Sequence, residues 1–146
     1  MGVYTRFKRQ PGGFRALVEL LETTPVVRRK KMIDVGMAED PDYTQDAVAY
    51  MLTFEDILAL SDMELAELIS KSPPRTTAFS VVSMSDEIKQ RFLKCSKMPV
   101  TAELKDYLTA KATPTEIGGA QMKVIEVARQ LERKGIIKAK HIPEDI

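Results

Sequence analysis

The sequence predicts an all-α protein built from short helices. Apolar residues recur with a period near 3.6, whereas the alternation of period two that is typical of half-buried strands is almost absent. Prolines and short polar residues stand at close intervals, in the positions that begin and end helices. Helices this short bury their apolar faces by stacking on one another. We therefore expect an irregular, armadillo-like helical array followed by a compact helical C-terminal domain.

Three helices are predicted in the first third of the chain. Pro11–Gly13 breaks the chain before the first of them. The apolar residues of this helix stand at i, i+3, i+4 and i+7 and are Phe14, Leu17, Val18 and Leu21. Thr24 before a proline begins the second helix, and Gly36 is expected to end it. Asp40, also before a proline, begins the third helix in the same way.

Six more helices are predicted in the rest of the chain. Their starts are marked by capping residues or prolines at Thr53, Ser61, Ser72, Ser85, Pro99 and Thr113. The last helix is the longest and is expected to run to Gly135. Gly118 and Gly119 lower its helix propensity, so they mark either a kink or a close approach of another helix.

These helices divide the chain into four predicted regions. Residues 1–11 are expected to form a basic N-terminal arm, and residues 12–51 an armadillo-like helical unit. Residues 52–137 are expected to form the compact C-terminal domain, and residues 138–146 a loose tail. The join between the two helical groups is predicted to be a hinge or a docking groove. It consists of Met51, Leu52, Thr53 and Phe54.

The composition argues against catalysis, cofactors and bound metals. Cys95 and His141 are the only cysteine and histidine, which excludes an intrachain disulfide, a multi-cysteine zinc site and a two-histidine relay. Asp40, Asp42 and Asp46 lack the glycine and the distal glutamate of a calcium-binding loop. Cys95 is expected to be a small buried side chain at a helix end rather than a reactive thiol. Without a secretory signal or an apolar run of about 20 residues, the protein is expected to be cytoplasmic.

Charge is segregated along the chain, although the net charge is only +1. Residues 1–31 carry eight Lys and Arg against two acidic residues, and residues 32–70 carry ten acidic residues and no Lys or Arg. Residues 71–146 carry fourteen basic and nine acidic residues. Either each block forms the solvated faces of its helices, or a basic surface of one copy meets the acidic region of another. Nucleic-acid binding is not expected, because the acidic region opposes a phosphate backbone.

Several motifs follow one another in a family-specific order. Residues 50–57 are Tyr-Met-Leu-Thr-Phe-Glu-Asp-Ile. They resemble the hinge motif Met-Phe-x-Phe-Glu-Asp of the flagellar motor switch protein FliG family, where that motif enters the C-terminal domain. Further similar segments are residues 12–21, 39–42, 60–62, 67–69, 89–94 and 124–135. The order and spacing of these segments over residues 12–137 identify the family.

The resemblance implies an all-helical, non-catalytic rotor component at the cytoplasmic face of the inner membrane, in the flagellar basal body. It also implies that the armadillo-like unit packs on a neighbouring subunit and that a charged helix faces a membrane-bound stator. The residues of this chain that match or replace the charges of that helix are Lys97, Lys105, Asp106 and Lys111. The implied partners are proteins: further copies, FliG-type rotor subunits or the stator. No nucleic acid, small-molecule substrate or cofactor is expected.

The sequence departs from the family pattern at functional positions. Leu52 replaces a phenylalanine of the hinge motif, and Lys105-Asp106-Tyr107 stands where the family has Arg-Asp-Asp. The chain is also expected to lack the family's N-terminal domain and its middle armadillo unit. The favoured function is therefore that of a FliG-like paralogue in the motor switch and motility apparatus. The alternative is a FliG-derived adaptor or regulator outside the rotor, with a different protein partner.

Self-association is predicted because the family's partner unit is missing. Residues 14–51 form too few helices to cover their apolar faces, so another copy or a full-length FliG is expected to cover them. The predicted self-association face consists of Phe14, Leu17, Val18 and Leu21.

Overall fold

The structure, a computed structural model, describes residues 2–143 and has ten α-helices and no strand within them. The helices are α1 (Val3–Arg9), α2 (Gly13–Thr23), α3 (Val26–Glu39), α4 (Pro41–Tyr50), α5 (Phe54–Leu58), α6 (Asp62–Lys71), α7 (Pro74–Val81), α8 (Asp86–Lys94), α9 (Val100–Leu108) and α10 (Pro114–Arg133). The all-α prediction is confirmed. Within the described residues, no helix has the length and apolar character needed to cross a bilayer.

The chain forms two compact units. The first unit contains residues 2–52 together with residues 140–143, and it therefore holds α1 to α4 and the end of the described chain. The second unit contains residues 53–139 and holds α5 to α10. The chain thus passes between the units twice, once before Thr53 and once before Lys140.

The core of the first unit is built around the apolar face of α2. This helix packs on α1 and α4, while α4 also contacts α1 and α3. Phe14 makes edge-to-face contacts with Tyr43 and Tyr50 on α4, with ring centroids 5.6 and 5.4 Å apart. The buried cluster consists of Tyr4, Phe14, Leu17, Val18, Leu21, Ala47, Met51 and Ile142. Two of its members, Tyr4 and Ile142, come from the first and last parts of the described chain.

The N-terminal segment is a helix rather than the expected basic arm. Residues 3–9 form α1, and Tyr4 is buried with its hydroxyl donating to the carbonyl oxygen of Met32. The ammonium of Lys8 lies 3.0 Å from a carboxylate oxygen of Asp40. The arm was expected because a seven-residue helix is too short to show a clear apolar period. Residue 1 of the expected arm lies outside the described residues.

The C-terminal segment is packed rather than loose. Ile142, which stands alone among His141, Pro143 and the lysines of the tail, is 1% exposed. Arg15 donates from Nη2 to the carbonyl oxygen of Ile142 at 3.0 Å. Isolated apolar residues outside a helix have no periodicity, so the sequence pattern does not reveal their burial. Residues 144–146 of the expected tail lie outside the described residues.

Gly36 has a different role from the predicted one. Helix α3 begins at Val26 and continues through Gly36 to Glu39, so Gly36 does not end it. A Cβ atom at Gly36 would lie 2.5 Å from both Tyr4 Cζ and Thr44 Oγ1. Glycine is therefore required here because α3 approaches these side chains closely. The next helix begins as predicted, with Asp40 accepting from the backbone amide of Tyr43.

In the second unit, α10 packs against α5, α6 and α7, and α9 contacts both α7 and α8. The helix starts predicted at Thr53, Ser61 and Thr113 are confirmed, and each of these residues forms a capping box. Of the two alternatives predicted for Gly118 and Gly119, the close approach of another helix is wrong. Helix α10 is continuous there, and among the described residues no atom outside its own backbone lies within 4 Å of a Cβ built on either glycine.

An ion pair lies inside the second unit. Arg129 Nη1 donates to Glu132 Oε1 at 2.7 Å, and both side chains are almost completely buried. They stand one helical turn apart on α10, where residues i and i+3 are neighbours. A charge in this position requires its partner, because an unpaired buried charge is strongly destabilising.

Gly36 is crowded by neighbouring side chains and Gly119 is not, so alanine at these two positions should have opposite effects on stability. Gly36→Ala should lower the free energy of unfolding by about 1–3 kcal/mol, because the added methyl group overlaps Tyr4 and Thr44. Gly119→Ala should raise it by about 0.5–1 kcal/mol, since the site is open and alanine restricts the unfolded chain. Urea unfolding followed by circular dichroism measures both. Equal effects of the two substitutions would contradict a packing role for Gly36.

Candidate functional site

The segment between α4 and α5 is the first candidate site. Met51 and Leu52 are buried, and the backbone amide of Leu52 donates to Glu22 Oε2 at 2.7 Å. The ammonium of Lys140 donates to the carbonyl oxygen of Met51 at 3.0 Å. Thr53 then caps α5 through its side chain, which accepts from the amide of Asp56. The four predicted hinge residues thus lie where the chain leaves the first unit, and three of them precede α5.

Glu22 is a functional candidate that the sequence analysis missed. It is 2% exposed and follows Phe14 and Val18 at the i+8 and i+4 positions of the apolar face of α2. Arg29 donates to the carbonyl oxygens of Leu21 and Glu22, at 2.7 and 3.1 Å. Burial lowers the pKa of Arg29, and the charge of Glu22 acts in the opposite direction. An acidic residue on an apolar helix face is the sequence feature that could have revealed it.

Helix α9 and its flanking turns form the second candidate site. Lys105 and Asp106 lie on α9, whereas Lys97 precedes this helix and Lys111 follows it, and all four are exposed. The opposite side of α9 is anchored by Leu104, which is 1% exposed. The structure therefore brings the four predicted charges to one helix and its two ends, with only two of them on the helix itself.

A cavity of about 700 Å³ opens beside α9 and is lined in part by Asp62, Arg91, Cys95 and Lys105. Arg91 lies at the edge of this cavity. Its Nη2 is 3.0 Å from Asp62 Oδ1, and its Nη1 donates to the carbonyl oxygen of Leu58. Burial raises the pKa of the Cys95 thiol, and the nearby Asp62 carboxylate raises it further. A thiol with a raised pKa is a poor nucleophile at neutral pH, which disfavours a reactive-cysteine role.

The predicted self-association face is wrong. Its members are Phe14, Leu17, Val18 and Leu21, which are 0–4% exposed inside the first unit. The prediction assumed that α3 and α4 would be the only cover for α2. Helix α1 and Ile142 supply the missing cover, so no second copy is needed to bury these side chains.

The three aspartates of residues 40–46 do not form an ion site. Asp40 caps α4. The pKa of its carboxyl group is lowered chiefly by a hydrogen bond from Lys8 and, to a smaller extent, by one from the Tyr43 amide. Within residues 2–143, no group of three or more His, Cys, Asp or Glu side chains has the geometry to hold a metal ion.

This chain is similar to the C-terminal part of several flagellar motor switch proteins. A sequence model of the FliG C-terminal domain matches residues 37–138. The flagellar motor switch protein FliG of Thermotoga maritima is 28% identical over 138 residues, which are 93% of this chain and 41% of that protein. FliG of Bacillus subtilis is 24% identical over 136 residues, which are 92% of this chain and 40% of that protein. The chain therefore spans about two fifths of the length of these relatives.

Solved structures agree with the fold. A crystal structure of FliG from H. pylori (residues 86–343 of that protein) aligns with a TM-score of 0.64 at 20% identity, covering 93% of this chain and 65% of that one. Full-length FliG from Aquifex aeolicus aligns with a TM-score of 0.54 at 26% identity, covering 84% of this chain and 39% of that one.

Burial of the α2 face predicts how substitutions there should act. Leu17→Asp should lower the free energy of unfolding by about 3–5 kcal/mol, because it places an unpaired charge in the core. Leu20→Asp lies on the same helix at a 39% exposed position and should change it by no more than about 1 kcal/mol. Urea unfolding measures stability, and sedimentation velocity measures association. A folded Leu17→Asp variant that only loses a self-associated form would restore the external-face interpretation.

Proposed function

Because the chain belongs to the FliG C-terminal domain family, we propose that it is a non-catalytic protein of the bacterial flagellar motor switch and motility apparatus. The observation that carries the proposal is the collinear match of 93% of the chain to a flagellar motor switch protein. The proposed location is the cytoplasmic face of the inner membrane, at the flagellar basal body. The proposed partners are FliG-type rotor subunits and the stator.

The exposed charges around α9 support a partner-facing role for this helix. Lys105 and Asp106 are consecutive exposed residues of the helix, and Lys97 and Lys111 add positive charge beyond its two ends. Exposed charges contribute more to orientation and to the rate of encounter than to affinity. Such charges suit a contact that must form quickly and in one orientation, as proposed between this helix and the stator.

One observation favours the alternative, an adaptor or regulator outside the rotor. Tyr107 occupies the position of the second acidic residue in the family pattern, and its ring contacts Phe79 edge to face at 6.4 Å. Tyr107 is 37% exposed, so it presents an aromatic residue where the family has a carboxylate. Exposed tyrosines are enriched at protein–protein interfaces, and a partner other than a stator would use such a surface.

The segment 51–54 is proposed to act as the hinge between the units. On one side it is held by Glu22 and Lys140, and on the other it is fixed by the cap that Thr53 gives α5. A hinge motion would therefore use the backbone between Leu52 and Thr53, where no helix continues, together with the second crossing before Lys140.

The hinge proposal predicts a specific effect at the cap. Thr53→Gly should broaden the distance distribution between spin labels at Lys31→Cys and Lys71→Cys, measured in a Cys95→Ser background. Glycine at an N-cap lowers stability by only a few tenths of a kcal/mol but frees the backbone. Thr113→Gly is the matched control, because Thr113 makes the same capping box within the second unit. An unchanged distribution in Thr53→Gly, or equal broadening in the control, would contradict the hinge.

The proposed function is tested by motility. Deletion of the gene in its own bacterium should reduce swimming, and the unaltered chain should restore it. Lys105→Glu and Asp106→Lys should each reduce restoration by about twofold or more, because each reverses a charge that orients the encounter. Lys134→Glu, an exposed change at the end of α10, should restore motility fully. Circular dichroism confirms that each variant folds.

Co-isolation of the tagged chain separates the two functions. Recovery of rotor or stator proteins from the wild-type cell, lost in the Asp106→Lys variant, supports the motor role. Normal motility of the deletion strain together with recovery of an unrelated protein partner supports the adaptor role.

A further inference from the structure

Residues 140–142 lie in the first unit as a peptide lies in a binding site. Ile142 is 1% exposed and belongs to the buried cluster around α2. Its carbonyl oxygen accepts from Arg15 Nη2 at 3.0 Å, and Lys140 Nζ donates to the carbonyl oxygen of Met51 at 3.0 Å. His141 is exposed between them. The segment thus has one apolar anchor with a polar anchor on either side.

The receptor for this segment is formed by other parts of the chain. Arg15 belongs to α2, and Met51 belongs to the linker after α4. Residues 140–143 form no helix or strand, so their position depends on these contacts and not on secondary structure of their own. An apolar lining with a few polar groups at fixed positions is the usual composition of a peptide-binding groove.

Backbone strain and lost conformational entropy reduce the stability of the bound segment. Lys140 has a φ of 48°, in the left-handed region that lysine rarely adopts. Ordering a short extended segment costs conformational entropy, which a single buried aliphatic side chain must offset. Both contributions lower the free energy that is needed to release the segment.

We propose that the first unit carries a peptide-binding groove whose resident ligand is the chain's own segment 140–143, and that this segment exchanges between a bound and a released state. The ligand class is a short peptide with a branched aliphatic residue two positions after a lysine. Release uncovers the part of the α2 face that Ile142 closes. The groove stands independently of the proposed function in motility.

The test uses two adjacent thiols in the full chain. In a Cys95→Ser background, the Ile142→Cys thiol should react with an aromatic disulfide reagent at least about tenfold more slowly than the His141→Cys thiol, because only the first is buried in the bound state. The peptide Lys-Ala-Lys-His-Ile-Pro, residues 138–143, is then added. It should accelerate the Ile142→Cys reaction at concentrations of about a millimolar or more, the range needed to compete with a tethered segment. The same peptide with aspartate in place of isoleucine should have no effect.

A second measurement avoids any change in the segment. Methyl NMR of the unaltered chain should show the resonances of Leu17, Val18 and Ile142 shift as the isoleucine peptide is titrated. Acceleration of the Ile142→Cys reaction by the peptide, together with these NMR shifts, establishes an exchangeable ligand. Equal reaction rates for the two thiols would overturn the proposal by showing that the segment is not bound. Slow reaction at Ile142→Cys that no peptide accelerates, with no NMR shifts, would overturn it by showing a fixed part of the core.

Arg15 supplies the last test, as a positioning residue for the groove. Arg15→Ala should accelerate the Ile142→Cys reaction by about five- to tenfold, since it removes a charged hydrogen-bond donor, and should leave the His141→Cys reaction unchanged. Arg28→Ala, at an exposed position on α3, is the matched control and should change neither rate. Equal acceleration by both arginine variants would contradict a specific contact to the segment.

Discussion

The apolar face of α2 is the feature on which the first unit depends, because it must be covered from several directions at once. Helix α4 covers one side through Tyr43 and Tyr50, α1 brings Tyr4, and the end of the described chain brings Ile142. Tyr4 in turn requires a glycine at position 36, since α3 passes too close for any side chain there. The first unit therefore takes part of the cover of α2 from each end of the described chain.

The same helix also determines the geometry of the linker. Glu22 extends the apolar face of α2 by one turn, yet it carries a carboxylate that binds the amide of Leu52. A buried carboxylate is tolerated only where hydrogen bonds and nearby positive charge compensate the loss of water, which here come from Leu52 and Arg29. Because one helix supplies both the core and this anchor, disturbance of the core should reach the linker directly. The linker is thus coupled to the first unit more closely than a flexible connection would be.

Local chemistry explains which features the sequence predicted. The capping boxes at Ser61 and Thr113 involve residues three positions apart, so their pattern is complete within the sequence itself. The cover of α2 depends on residues more than 120 positions apart, Arg15 and Ile142, and no periodicity connects them. Gly36 was misinterpreted because a glycine that ends a helix and one that permits a close approach are the same residue in a sequence. Glu22 was missed for the related reason that its burial depends on the distant amide of Leu52.

While the chain itself occupies the α2 face, recognition of other proteins uses exposed side chains. Around α9 these are separate charges, and each exposed ion pair contributes no more than about 1 kcal/mol. An interface built from them depends on several charges acting together and weakens as salt rises, because at 0.1 M exposed charges more than about 10 Å apart are largely screened. The exposed ring of Tyr107 is different, since its burial by a partner is favoured at any ionic strength. The salt dependence of partner binding therefore distinguishes a charged motor contact from an aromatic adaptor contact on the same helix.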